Sequence, residues 1–131
     1  MLETSTDAEL ESAFSAAVER HIDALVVSDQ PFFTTRHRHI VSLAARYVRP
    51  AIYGWREYVE AGGLISYGSS LTDAWQQLGR YARRILDGAQ PSDLPVMQAS
   101  RFELVVNLQT ARRLRLTVPP TLLALADEVI E

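Results

Sequence analysis

The feature that most constrains the fold is an alternation between short apolar runs and longer amphipathic segments. Residues 24–27 and 50–53 are mostly apolar runs of four that predict short strands. The first run is too short for a helix and predicts a strand buried on both faces, as in parallel sheets. Before and between them, apolar residues recur at helical spacing over about 7–21 and over about 33–48. This order of helix, strand, helix, strand is typical of a parallel sheet with crossover helices.

The first predicted helix begins at a capping box. In Thr6-Asp7-Ala8-Glu9 the Thr6 hydroxyl can accept from the Glu9 amide while the Glu9 carboxylate reaches back. A strand should precede this helix, yet only residues 1–5 stand before it. A typical strand of about five or six residues with its turn needs about twice that length. We therefore expect the chain to begin inside a domain, with its first strand cut short at Leu2-Glu3-Thr4.

The pattern becomes less regular after Gly54, where helical segments outnumber strands. Glycines and prolines mark the breaks between these segments, because they end helices or open them. The predicted elements are a short helix at 55–61, a strand at 64–67, the strongest helix of the chain at 70–88, a strand at 102–106, and short helices at 107–114 and 122–129.

Composition and charge exclude several classes of function. A chain of 131 residues with 47% hydrophobic residues fits one globular domain, and no run approaches the roughly 18 to 20 apolar residues of a membrane helix. The net charge of −3 argues against a nucleic-acid partner, although arginines cluster at 80–84 and 112–115. The sequence contains no cysteine, and no signal peptide is visible before the acidic first helix.

The candidate chemical motifs give no support for an enzyme. His37 and His39 lie two positions apart on a helix, so they point in nearly opposite directions and cannot share a metal. The glycines match no phosphate-binding motif. Asp29 and Glu57 could form a carboxylate pair across two strand ends, but a turn-forming Asp and a solvated Glu are the simpler interpretation. We therefore predict no catalytic residue, no metal and no cofactor.

Location is the remaining guide to a site, because ligands of open parallel sheets bind beyond the carboxyl ends of the strands. Two such ends, 28–33 and 53–58, combine aromatic rings, a guanidinium and a carboxylate. This set suits a small polar or zwitterionic ligand. The alternative is that the aromatic residues belong to the core or to helix caps. The candidate ligand-binding residues from these ends are Ser28, Asp29, Phe32, Tyr53, Trp55 and Arg56.

Five segments also carry a resemblance to a known family. They are 23–33, 50–68, 85–95, 102–111 and 116–130, and the most specific are Gly-Gly-Leu-Ile-Ser-Tyr-Gly at 62–68 and Phe-Glu-Leu-Val-Val-Asn-Leu at 102–108. In this order they resemble the C-terminal half of ABC-transporter substrate-binding proteins of the tryptophan/tyrosine-binding-like group. The resemblance covers nearly the whole chain.

The resemblance implies a fragment of a two-lobed, type I periplasmic-binding-protein fold, whose Rossmann-like α/β lobes close on a solute by a hinge. It implies that residues 1–63 form part of the C-terminal lobe, that 64–95 cross into the N-terminal lobe, and that 96–131 return. It adds Ser66 and Tyr67, at the first crossing, to the ligand-binding residues. It also implies a small-molecule solute, an ABC permease as partner and a periplasmic location.

A fragment of this kind would leave one surface without a partner. If the N-terminal lobe is absent, helix 70–88 exposes Leu71, Trp75, Leu78 and Ile85. We therefore expect a homodimer that forms through this face, by exchange of the C-terminal half between chains. Two functions remain open: a truncated solute-binding component of an importer, or a stand-alone ligand-sensing or oligomerisation module. Aromatic amino acids, other amino acids and small sugars all remain possible solutes.

Overall fold

The computed structural model describes residues 5–97 and 101–131. The predicted first strand at Leu2-Glu3-Thr4 lies outside the described residues. The described helices are α1 (Asp7–Glu19), α2 (Pro31–Thr35), α3 (His37–Arg46), α4 (Arg56–Glu60), α5 (Leu71–Leu86), α6 (Leu108–Arg113) and α7 (Pro120–Leu125). The described strands are β1 (Leu25–Val26), β2 (Ala51–Tyr53), β3 (Ile65–Ser69), β4 (Phe102–Asn107) and β5 (Glu128–Ile130).

The five strands form one sheet whose spatial order follows the chain, β1-β2-β3-β4-β5. The pairs β1/β2, β2/β3 and β4/β5 are parallel, and the alternating pattern predicts the first of them. The pair β3/β4 is antiparallel, with Ser66 opposite Val105 and Ser69 opposite Phe102. The α/β fold class with a mostly parallel sheet is thus confirmed, and the antiparallel pair marks the place where the chain leaves the sheet through α5 and returns.

The capping box of α1 and the glycines that end α4 and α5 lie where the sequence predicts them. The Glu9 amide donates to Thr6 Oγ1 at 3.2 Å, and the Thr6 amide donates to the Glu9 carboxylate at 3.1 Å. Gly62 follows α4 and Gly88 follows α5, both with φ near +100°, a conformation that costs glycine little. The predicted helix at 33–48 is divided at Arg36 into α2 and α3.

The predicted final helix at 122–129 is wrong over its second half. The helix α7 ends at Leu125, and Glu128–Ile130 form β5 against β4. Asp127 causes the change, because its amide donates to the Leu104 carbonyl at 2.9 Å and its carboxylate accepts from the Leu104 amide at 2.8 Å. This two-way attachment to β4 replaces the hydrogen bonds that would have continued the helix.

The core lies between three helices and the sheet. The buried cluster joins the inner faces of α1, α3 and α4 to β2, and it consists of Leu10, Phe14, Ile40, Val41, Leu43, Ala44, Ala51, Tyr53 and Tyr58. Half-buried side chains from the two strand ends, including Phe32 and Trp55, pack against its rim. The core therefore holds the carboxyl ends of β1 and β2 in place.

The helix α5 contributes nothing to this core. Ser70 caps it by accepting from the Asp73 amide at 3.3 Å, yet none of its residues is buried. Trp75, Leu78 and Ile85 expose 66%, 56% and 43% of their surface, so the apolar face of α5 is open to solvent in the described parts of the chain. Leu71 is only half exposed, because it lies where the helix joins the sheet. No helix in the described parts of the chain is both long and apolar enough to cross a membrane.

Candidate functional site

The candidate site is the edge of the sheet where β1, β2 and β3 end. Asp29 follows β1, and its carboxylate lies directly against Gly54, which follows β2. A Cβ atom at Gly54 would stand 1.7 Å from Asp29 Oδ1, so any larger residue there would displace the Asp29 carboxylate from this position. A Cβ atom at Gly68 would stand 1.9 Å from the Gly54 carbonyl oxygen. The three strand ends therefore meet closely around Asp29.

The carboxylate of Asp29 is the most available charged group at this edge. The residue is exposed, and partial burial raises the pKa of its carboxyl above the ordinary value of 3.8. Among the described residues, no cationic side chain lies within ion-pairing distance of it. Ser28, beside it, is also exposed. An anion in this position can accept hydrogen bonds from a positively charged group of a ligand.

Tyr53, a predicted ligand contact, lies in the core instead of at the edge. It is 2% exposed and stacks on Tyr58 with 4.6 Å between ring centroids. The His37 ring also meets the Tyr58 ring edge-on, with 5.8 Å between the centroids. Burial raises the pKa of Tyr53 well above its usual range and that of Tyr58 to about 12, so both hydroxyls remain protonated at neutral pH. This arrangement favours the alternative interpretation, in which this aromatic residue serves packing.

Phe32 and Trp55 form the half-buried aromatic border of the edge. The guanidinium of Arg36 lies 4.1 Å from the centre of the Phe32 ring, so one face of that ring is already covered. Phe33 meets Phe32 edge-on at 5.6 Å. Trp55 packs against the core and directly precedes α4. Both rings are held by their neighbours and present only part of their surface to a ligand.

Ser66 and Tyr67 point to opposite faces of β3, because they are successive residues of a strand. Ser66 is 1% exposed, and its hydroxyl has no hydrogen-bond partner among the described residues. Tyr67 is 58% exposed and stacks on Phe102 of β4 at 5.8 Å. Phe102 was not among the predicted site residues, because only the antiparallel register of β3 and β4 brings it beside Tyr67. The two predicted contacts therefore serve different surfaces.

Arg56 is surrounded by carboxylates. Its Nε donates to Glu60 at 2.8 Å, Nη1 donates to Glu103 at 3.4 Å, and Nη2 donates to Glu128. The hydrogen bond to Glu60 is the main cause that raises the pKa of Arg56 above its usual value. The two glutamates from β4 and β5 were not among the residues predicted from sequence. The guanidinium is thus occupied by the protein itself.

Glu57 is less solvated than the simpler interpretation assumed. Its Oε2 is buried without a hydrogen-bond partner among the described residues, one turn from the exposed Glu60. Asp29 and Glu57 both raise the pKa of Tyr58 electrostatically, after burial, so both carboxylates lie near that ring. No group of three metal-ligating side chains occurs in the described ranges. The edge therefore combines acidic groups, aromatic rings and a buried hydroxyl.

Comparison with known proteins gives one family and several solved structures. The family model described as ABC transporter substrate binding protein matches residues 2–130. None of the curated proteins matches the chain. A conserved domain protein from Vibrio cholerae is 27% identical with a TM-score of 0.83, over 93% of this chain and 41% of its own.

Two further structures extend the comparison. An ABC domain in complex with L-Trp from Streptococcus pneumonia is 26% identical with a TM-score of 0.87, over 98% of this chain and 44% of its own. A ligand-free, open substrate binding protein with adhesive properties from Clostridium difficile shares the fold at 24% identity, with a TM-score of 0.62, over 97% of this chain and 42% of its own. The chain thus spans about two fifths of the length of these structures. Since the family model matches almost every residue, the chain belongs to the ABC transporter substrate binding protein family.

Proposed function

We propose that this chain is part of the solute-binding component of an ABC-type importer and binds a small polar molecule such as an amino acid. The observation that carries the proposal is the carboxylate of the exposed residue Asp29, which lies against Gly54 where three strand ends meet. An ammonium group is the natural partner of such a carboxylate. The L-Trp bound by the similar Streptococcus protein supports a ligand of this class.

The proposed ligand contacts are the hydrogen-bond acceptors and the apolar surfaces that the protein itself does not use. Asp29 and Ser28 offer acceptors, and Trp55 and Phe32 offer apolar surface beside them. Tyr67 contributes an exposed ring on the other face of β3. Such a mixture of apolar surface with a few convergent polar groups is typical of a small-molecule site. Binding without chemical conversion is the proposed activity, so no residue is given a catalytic role.

We propose to divide the chain into two lobes at the two points where it passes from one lobe to the other. Residues 1–63 and 96–131 are assigned to one lobe, and 64–95 to the other. The exposure of α5 supports this division, since its apolar face has no counterpart in the core that α1, α3 and α4 share with β2. A solute would lie where β3 and β4 cross between the lobes. An ABC permease partner and a periplasmic location belong to the same proposal.

The test is a binding titration with L-tryptophan and a panel of other amino acids and small sugars. Asp29→Asn removes the charge and keeps the shape, and we expect it to weaken binding of an ammonium-bearing ligand about tenfold or more. Asp23→Asn is the matched control, because Asp23 is exposed just before β1, at the opposite end of the strand. Equal affinities for the two variants would contradict the proposed site.

The second candidate function, a ligand-sensing or oligomerisation module without transport, depends on α5. Its exposed Trp75, Leu78 and Ile85 are the observation that favours it. The pairing of two chains through this face stays a prediction. Light scattering during size-exclusion chromatography measures it directly, and a well-folded monomer at micromolar concentration would contradict it. A dimer that binds none of the tested solutes would favour the second candidate over the first.

A further inference from the structure

The carboxylates around Arg56 belong to three different elements. Glu60 lies on α4 with Arg56 itself, Glu103 lies on β4 and Glu128 on β5. Each of the three guanidinium nitrogens contacts one carboxylate, which is the fork geometry that arginine alone provides. The contacts to Glu103 and Glu128 span 47 and 72 residues of sequence. Arg56 therefore links α4 to two strands that lie far from it in the sequence.

Glu103, one of the three carboxylates, lies where the pairing of β3 and β4 ends. Glu103 stands opposite Gly68, one pair from Ser69 and Phe102, where the antiparallel pairing of β3 and β4 ends. Beyond this point the chain leaves the sheet toward α5 on one strand and returns on the other. Glu103 is only 14% exposed, so it depends on a cation more than a surface carboxylate does. Arg101 also approaches it, but only at 3.9 Å and with 66% of its side chain exposed.

Arg56 offsets the repulsion among the three carboxylates that surround it. One guanidinium stands among three carboxylates, of which Glu103 and Glu128 lie on adjacent, paired strands. Without the cation these carboxylates would repel one another, and the half-buried Glu103 would have lost its nearest partner. The result would be a loosening of the ends of β4 and β5 against α4, close to Tyr67 and Phe102.

We propose that Arg56 acts as a clamp: it fixes the returning strand β4 and its neighbour β5 to α4, and so positions the crossing strands instead of contacting the solute. The clamp is a property of the fold itself. Its effect on binding rests on the proposed function, because it acts through Tyr67 and the strand ends. Arg56 is on this view a positioning residue.

Amide hydrogen exchange of the full ligand-free chain tests the clamp. In Arg56→Gln we expect exchange in 102–107 and 126–131 to rise roughly threefold to tenfold, with α3 unchanged, because the strands open locally more often. Arg56→Lys keeps the positive charge but cannot contact three carboxylates at once. Its exchange rates in these segments should therefore lie between those of the wild type and those of Arg56→Gln. Arg83→Gln is the control, since Arg83 makes only an exposed contact to Asp87 at 3.6 Å. Exchange in Arg56→Gln equal to that of the control would overturn the clamp.

Glu128→Gln is the milder second variant, because Glu128 is half exposed and its loss leaves the other two contacts in place. It should accelerate exchange in the same segments by a smaller factor. With L-tryptophan as probe, a clamp weakens binding in both Arg56→Gln and Glu128→Gln, whereas a direct contact weakens it only in Arg56→Gln and would overturn the proposal. If the wild type binds no member of the solute panel, the proposed ligand class fails, and the exchange measurement still decides the clamp.

Discussion

The glycine at position 68 gives the sharpest prediction about how the site is built. A Cβ atom there would stand 1.9 Å from the Gly54 carbonyl oxygen and 2.9 Å from its carbonyl carbon. These are backbone atoms of the neighbouring strand end, so no side-chain rotation can relieve the contact. Gly68→Ala must therefore push the ends of β2 and β3 apart, close to the pairing of Tyr53 with Ser66.

The cost can be bounded by comparison with overpacked cores, which lose about 1–3 kcal/mol when side chains can adjust. Because backbone must move here, we expect Gly68→Ala to lower the free energy of unfolding by about 3 kcal/mol. Urea unfolding followed by circular dichroism measures the change. Gly79→Ala is the matched control, because nothing lies within 4 Å of its Cβ position and it stands inside α5. There alanine should stabilise by about 0.5–1 kcal/mol. A Gly68→Ala midpoint equal to that of the wild type would refute the close approach of the strand ends.

Three further predictions concern the same edge. Gly54→Ala should displace the Asp29 carboxylate, which lies 1.7 Å from the new methyl position, and so weaken solute binding in a titration while changing the urea midpoint less than Gly68→Ala does. Ser66→Ala should leave the free energy of unfolding unchanged or raise it by up to about 1 kcal/mol, since it removes a buried hydroxyl without a described partner; a large loss of stability would contradict this. Affinity for an ammonium-bearing solute should fall as pH drops through the pKa of Asp29. Because burial raises that pKa above 3.8, the fall should begin at a higher pH than for an unperturbed Asp, and Asp29→Asn should abolish it.

The carboxyl edge could be predicted from sequence because parallel strands end side by side. The apolar runs at 24–27 and 50–53 place Asp29 and Gly54 at one edge by the rules of the fold alone. Whether a side chain at that edge faces solvent or the core is a separate matter. Tyr53 is the last residue of β2 and lies on the same, buried face of the strand as Ala51. It therefore belongs to the core although its neighbours in sequence line the edge.

The environment of Arg56 could not be predicted from sequence for a topological reason. Glu103 and Glu128 approach it only because β4 runs antiparallel to β3 and β5 then pairs in parallel with β4. The apolar spacing around β3 and β4 does not distinguish a parallel from an antiparallel return of the chain. The same limit explains the error at 122–129, where the leucines continue a helical period while Asp127 pairs with Leu104 of a strand far earlier in the chain.

The apolar face of α5 is the opposite case, in which sequence predicts a surface but not what covers it. Its helical period alone identifies Trp75, Leu78 and Ile85 as one face, and the structure leaves all three exposed. Such a helix gains little stability from burial against the described parts of the chain, and its contacts include its cap and the Tyr81 hydroxyl, which donates to the Pro95 carbonyl. It follows that α5 should unfold locally before the sheet does. Any partner that buries this face, whether a second lobe or a second copy, would stabilise the crossing at which β3 and β4 leave the sheet, and would thereby couple its own binding to the site at the strand ends.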